Sequence, residues 1–545
     1  MYRLNIKSNT AKGVWYNLNI PIELRRHSMD EKDEQKYVSE ALCITYLKDA
    51  THIGEFLNSI GEEDVQRSVN DLLKTIMVDN IDGVTIVCEM NYVDRLYRDT
   101  YYAYFATKYH NTKRNCKRLF FFSGNLGLDT FFSYDDASEN KLQENFVGIS
   151  ILKPLSQGKI GRTLLDPVKL HIHAYIRTTD FQFFLFGHTL QVEAFPYSSQ
   201  DGEMMTCAET TAWNIIEYYG VRYPEHKTAL PSEMLHLVES MSYERDLPSS
   251  GLSVYNISYL LKAFGFSPRI CIRKDECNER LGVNEFHRMF HYYVESGFPL
   301  AVAVKIPKMT GHAVVCIGHG TCEETDHRDT SFLGENVCPC INSADMYNTY
   351  VLMDDNQMPY RIEPFDGFTV YHDKGATISG FIVPLPEKVF LEAMNAEAIA
   401  RKILQDEKVG IKCLGKEVCS QITNENPLVF RLFLTSARKY RGIRIRGSCT
   451  NDIVRKFYGG YPLPKFVWVA EISDWMSYQS GMVVGEIVID ATATGANIED
   501  AIILIRYGNI WMYRSYHDEK RTWCCKQDSN SSCAYPLYVN NLKNC

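Results

Sequence analysis

A pair of prolines, Pro384 and Pro386, sits directly behind the apolar run Gly380 to Val383 and is the firmest break in this chain. Proline has no backbone N–H and pushes the preceding residue out of the helical region, so neither a strand nor a helix can run through this triplet. The break matters because 545 residues are too many for one ordinary domain. We read three regions: 1–190, 191–386 and 387–545. The middle one opens on a turn-rich loop holding Pro196, Ser198, Ser199 and Gly202, and closes on the prolines.

Periodicity fills these regions with mixed α and β structure. In the first, Val65, Val69, Leu72, Leu73 and Ile76 share one face of a helix predicted over 62–77, while 147–149 and 170–176 alternate as strands do. In the third, an amphipathic helix is predicted over 387–404 and strands over 466–472 and 483–489. There Gly508-Asn509 joins 502–507 to 510–514 as a hairpin. Neither flanking region carries a motif that assigns it a role.

Composition excludes more than it assigns. Hydrophobic content of 45% and charged content of 23% are those of a globular protein. A formal net charge of −9 argues against a generic nucleic-acid binder, whose binding face is basic. Met1 to Lys7 holds no apolar run of signal-peptide length, and no stretch approaches the roughly 18 apolar residues of a membrane span, so a cytoplasmic protein with no membrane contact is expected. Its 17 cysteines, odd in number and unevenly spaced, then read as reduced thiols, most of them small buried hydrophobes.

One cysteine stands apart. Thr206 and Glu209 have the spacing of a capping box, which puts Cys207 at the first position of a helix. Ala208, Ala212, Ile215, Ile216 and Tyr219 form its buried stripe, and Gly220 is a natural stop. A thiol at that position faces the positive end of the helix dipole and unpaired N–H groups, both of which favour the reactive thiolate. Gln200, upstream, could supply an oxyanion-hole amide beside the Cys207 N–H. Farther on, Gly311-His312-Ala313-Val314-Val315 begins a strand with histidine at its mouth, where a general base must sit to reach a cleft. Residues 296–304 read as its antiparallel neighbour. Tyr350 to Asn356 is a strand ending in acids, and an acid or amide there could accept the other imidazole N–H.

In order and local context these pieces resemble the papain-like cysteine peptidase superfamily, closest to the branch of bacteriocin-processing double-glycine peptidases. The motifs are Gln200-x6-Cys207, Gly251-Leu252-Ser253 leading to Leu260-Leu261-x-x-Phe264-Gly265-Phe266, Gly297-x-Pro299, Gly311-His312-Ala313-Val314-Val315 and Leu352-Met353-Asp354-Asp355. They span about a third of the chain. The resemblance implies an α+β protein whose central domain, 191–386, carries the cysteine on an N-terminal helix and the histidine and acid on an antiparallel sheet, flanked by two further mixed domains.

By the same resemblance Cys207 is the nucleophile, His312 the general base, Asp355 the orienting acid with Asp354 as its alternative, and Gln200 an oxyanion-hole donor. The implied substrate is a peptide, a protein or a small acyl-amide; no metal or organic cofactor is called for. Gln200 stands seven residues ahead of Cys207 where the family usually has six, so the loop must bulge or another donor must serve. Neighbours on a strand point to opposite faces, so only one of Asp354 and Asp355 is expected to serve. Acyl transfer through the same thioester, and a degenerate scaffold that only binds a partner, are the alternative readings.

Other clusters rank lower. Cys322, His327, Cys338 and Cys340 fall between the His312 and Asp355 strands, but Cys338-Pro339-Cys340 lacks zinc-knuckle spacing, and a polar insertion is expected there. Cys524, Cys525 and Cys533 are similarly unsupported by spacing. His171 and His173 are expected on one half-exposed strand face. Arg95 to Arg118 interleaves tyrosines with basic residues, as single-stranded nucleic-acid readers do, yet fits an amphipathic helix better. Arg438 to Arg446 is a second basic patch, with Arg444 and Arg446 spaced for one exposed strand face.

Overall fold

The computed structural model describes residues 36–545 apart from 39–40, 63–66, 79–81, 110–111, 157–158, 242–250, 274–282, 308–310, 323–330, 333–337, 371–372, 415, 448–451, 495–497, 517–521 and 528–533. The chain is mixed α+β, built on three large sheets.

In the first sheet, Lys36–Val38, Leu42–Leu47, Val84–Tyr92, Cys116–Ser123, Phe146–Leu152 and Ile160–Leu165 pair antiparallel in chain order. Helix Arg67–Val78 buries Val69, Leu72, Leu73 and Ile76, the predicted stripe, in an apolar cluster that includes this sheet. Val65 lies outside the described residues. A hairpin, Thr179–Leu185 with His188–Ala194, alternates buried and exposed positions and feeds Phe181, Phe183, Leu190 and Val192 into a second cluster. The strand expected over 170–176 is only Ala174–Ile176. Residues 167–171 turn instead, His171 adopts φ +47°, and both His171 and His173 are exposed.

The second sheet runs Arg269–Ile272, Asp373–Val383, Leu300–Lys305, His312–Gly320, Thr349–Met353, Arg361–Pro364, each antiparallel to its neighbour. Alternation places Val304 opposite His312 and Met353 opposite Val315. Antiparallel pairing thereby sets the turn that follows Met353 beside the beginning of the His312 strand.

The third sheet follows the order Ser331–Phe332, Pro339–Asn342, Leu428–Ser436, Phe466–Asp474, Gly485–Asp490, Ile502–Tyr507, Ile510–Arg514, Trp523–Gln527. Gly508 turns the predicted hairpin at φ +55°. Helix Val283–Glu295 lies between the second and third sheets, with Phe286, Phe290 and Tyr293 in one core with Phe381 and Trp468.

The three regions read from sequence interlock. Ala174–Ile176 pairs with the end of the His312 strand, and Lys543–Asn544 pairs with Ala174–Ile176. Pro339–Asn342 adds a parallel neighbour to Leu428–Ser436. The described part of the expected polar insertion therefore enters the third sheet, with Cys338 and Cys340 buried. The proline triplet does end its strand, but Leu385 is buried and its carbonyl accepts from the Ser267 N–H at 2.8 Å. Residues 387–392 form a strap rather than the first turns of a helix. The N–H groups of Phe390 and Leu391 donate to the Ala491 carbonyl, and the helix begins at Ala393.

The second basic patch is a helix, Ala437–Gly447, not a strand. Arg444 is 2% exposed and bonds Glu471 at 2.5 Å and Glu486 at 2.7 Å, so it is an interior ion-pair residue. Among the described residues no helix is long and apolar enough to cross a membrane.

Candidate active site

Cys207 is the first residue of the helix Cys207–Arg222, after an extended Thr206 at the N-cap. The capping box forms in altered form: the Thr206 hydroxyl donates to the Glu209 carboxylate, and no N-cap side chain takes a helix N–H. Asp201 does the work of ordering the approach. Its Oδ1 accepts from the N–H groups of Glu203, Met204 and Met205 at 2.9, 2.8 and 2.9 Å, and its own N–H donates to the Met205 carbonyl. The loop closes on itself before delivering a half-buried Cys207. Ala208, Ala212, Ile215, Ile216 and Tyr219 are buried as the stripe predicts. The helix continues through Gly220, whose role is close approach. A Cβ there would meet the Thr228 nitrogen at 2.6 Å.

His312 opens its strand with its side chain 1% exposed. Its Nε2 lies 2.9 Å from Asp354 Oδ1 and 3.7 Å from Asp355 Oδ1. The Cys207 side chain also acts on the ring and raises its pKa; with Nε2 turned to the acids, Nδ1 is the nitrogen left to face sulfur. Burial opposes a charged ring, but the Asp354 bond, the Cys207 contact and the charges of both carboxylates outweigh it and push the pKa up to about 10. The imidazole holds its proton at neutral pH beside the sulfur. A cation in that position favours the thiolate form of a cysteine in general.

The acid nearest His312 is Asp354, the alternative that the sequence reading kept beside Asp355. Strand alternation does not send the two to opposite faces, because the strand ends at Met353 and both acids lie in the following turn. Asp354 also accepts from the Asn356 N–H at 3.0 Å. Burial pushes the Asp355 carboxyl well up, against the pull of His312, and its Oδ2 has no hydrogen-bond partner among the described residues.

Gln200 reaches the same turn, its Nε2 donating to Asn356 Oδ1 at 2.7 Å. Asn356 in turn donates to Asp355 Oδ1 at 3.0 Å and stands 3.5 Å from His312 Nε2. The expected oxyanion donor is thus drawn into the site through Asn356. Asn356 is the amide that the sequence reading allowed at this strand end beside the acids. One neighbour escaped that reading. Lys153 follows a buried strand with nothing to mark it; its ammonium is buried, donates to the Ser199 carbonyl at 3.0 Å, and feels the charges of Asp201, Asp94 and Asp355.

His312, Asp354 and Asp355 offer ligand atoms within 4.8 Å of one another, the one such cluster among the described residues. A metal there would compete for the Nε2 that Asp354 already engages. Elsewhere, burial pushes the thiols of Cys338 and Cys340 up to about 11 and about 12, the opposite of what ligand thiolates need. His327 and Cys533 lie outside the described residues; Cys322 is half-buried, and Cys524 and Cys525 sit on the Trp523–Gln527 strand. Compared with known protein families and with curated proteins, the chain matches none.

Proposed function

We propose that this chain is a thiol-dependent hydrolase, a papain-like cysteine peptidase acting through an acyl-enzyme on Cys207. The observation that carries the reading is the placement of His312, held by Asp354 at 2.9 Å and close enough to Cys207 for that side chain to act on the ring. In this scheme the sulfur attacks a peptide carbonyl carbon and an S–C bond forms. The imidazolium gives its proton to the departing amine as the C–N bond breaks. Water, deprotonated by His312, then attacks the thioester and releases the acid and the thiol. The Cys207 backbone N–H, one of the unpaired donors of a helix start, suits the oxyanion. Asp354 keeps the ring oriented throughout.

Incubation with a degenerate peptide mixture, read by mass spectrometry for new termini, tests the proposal. Cleavage by the native chain that is lost on Cys207→Ala and on His312→Ala is the expected result. Cleavage that survives Cys207→Ala, or none by the folded native chain across the mixture, would overturn it.

A further inference from the structure

A cavity of about 1040 Å³ opens beside the loop that leads to Cys207. Five cationic side chains line it: Lys108, Lys113, Arg114, Lys117 and Lys159. Such a concentration is unexpected on a chain of net charge −9, and four of the five belong to the basic–aromatic segment that the proposed chemistry leaves unused. Three acids share the lining: Glu62, Asp201 and Glu203.

The pairing within this wall is uneven. Glu62 is held by both Lys117 and Lys159, and Glu203 by Lys108 and the Tyr104 hydroxyl. Asp201 is spent on the three N–H groups of its own loop. Lys113 and Arg114 are exposed and make no ion pair among the described residues. Two cations therefore face the cavity unopposed. Asn91, Thr112, Asn115 and Ser156 add neutral polar groups of the kind that satisfy peptide amides, and Phe105 and Leu155 add apolar wall.

The cavity lies close to the thiol. Asp201 bonds back to Met205, and Cys207 is two residues farther, at most about 7 Å of extended chain. Lys153 lies between the two, its ammonium bonded to the Ser199 carbonyl at 3.0 Å and acted on by the charges of both Asp201, which lines the cavity, and Asp355, beside His312. Its chain neighbours Leu152 and Pro154 line the cavity.

We infer that this cavity is a substrate subsite for an acidic peptide segment, one carrying one or two Asp or Glu side chains that pair with Lys113 and Arg114. The inference rests on the peptidase reading for its geometry. A dense polyphosphate or a nucleic-acid strand fits less well, because it would meet Glu62 and Glu203 and would have to break their existing ion pairs.

Binding, not turnover, tests it, so the outcome does not depend on catalysis. Fluorescein-labelled decapeptides with one or two fixed Asp, and their Asn counterparts, are titrated into the full-length Cys207→Ala chain by fluorescence anisotropy. Inorganic tripolyphosphate and a ten-nucleotide dT strand serve as parallel arms. Acidic peptides should bind three- to tenfold more tightly than the Asn forms, and Lys113→Gln/Arg114→Gln should erase that difference, the effect of removing two partly exposed pairs. Equal binding of both peptide sets, a preference that survives the double substitution, or tighter binding of tripolyphosphate or dT would overturn it. Absence of peptide cleavage by the native chain, with this preference intact, would count against the catalytic reading alone.

Discussion

Asp354 Oδ1 lies 2.9 Å from His312 Nε2, hydrogen-bonding distance, and the neighbouring Asp355 reaches the same nitrogen only at 3.7 Å. One buried carboxylate hydrogen-bonds the ring; the other, also buried, stands beyond hydrogen-bonding distance of it. Asp354→Asn should therefore slow peptide cleavage more than Asp355→Asn. A charge-assisted hydrogen bond is worth about 1.5–3 kcal/mol, roughly ten- to hundredfold in rate. Comparison of kcat/KM for the two variants checks the order, and NMR titration of His312 should show its pKa falling farther in Asp354→Asn.

Stability should respond to pH from two directions. His312 binds its proton more tightly folded, up to about 10 against 6.5 unfolded, so its contribution is complete below pH 6.5 and drains away as pH rises toward 10. His291 is the reverse. Burial, with the charge of His319, holds it well below 6.5, so it is neutral in the fold and its contribution is lost as pH falls below 6.5. Thermal midpoints across pH 5 to 10 check both. The advantage of the native chain over His312→Gln should shrink on the alkaline side, and His291→Phe should flatten the acid side.

Much of the local structure was legible because it is short-range. Thr206-x-x-Glu209 marked the helix start, and the short apolar runs in 300–304 and 312–316 marked the paired strands that present His312. The choice of acid was not legible, since it turns on where the strand stops. Nor was Arg444: a basic run reads as a solvated face until Glu471 and Glu486, supplied by other strands, arrive to neutralise it. Lys153 and the sharing of strands between sheets failed for the same reason, because partners far apart along the chain, 46 residues in the case of Lys153 and Ser199, leave no periodic trace.

Helix Val283–Glu295 is held to the third sheet by charge as well as by apolar packing. Arg431 donates to Glu295 at 2.9 Å through Nε and to Glu471 at 2.6 Å through Nη1, all three being buried. Removing one partner strands a buried carboxylate, so Arg431→Met should cost about 3–5 kcal/mol. Urea denaturation provides the value.

Gly220→Ala should destabilise rather than strengthen its helix. The added Cβ would stand 2.6 Å from the Thr228 nitrogen, a backbone atom that cannot swing aside. Overpacking of this kind costs about 1–3 kcal/mol, more than the roughly 1 kcal/mol that alanine gains over glycine in a helix. A lowered thermal midpoint with unchanged helical circular dichroism is the expected result.

Alkylation of Cys207 by iodoacetamide, followed peptide by peptide by mass spectrometry at about pH 5.5, tests the central claim most directly, because only thiolate reacts. The account predicts that Cys207 labels at least about tenfold faster than the half-buried Cys413 and Cys419, and that His312→Ala removes the advantage. Labelling of Cys207 no faster than those thiols, and unchanged by His312→Ala in a folded chain, would contradict it.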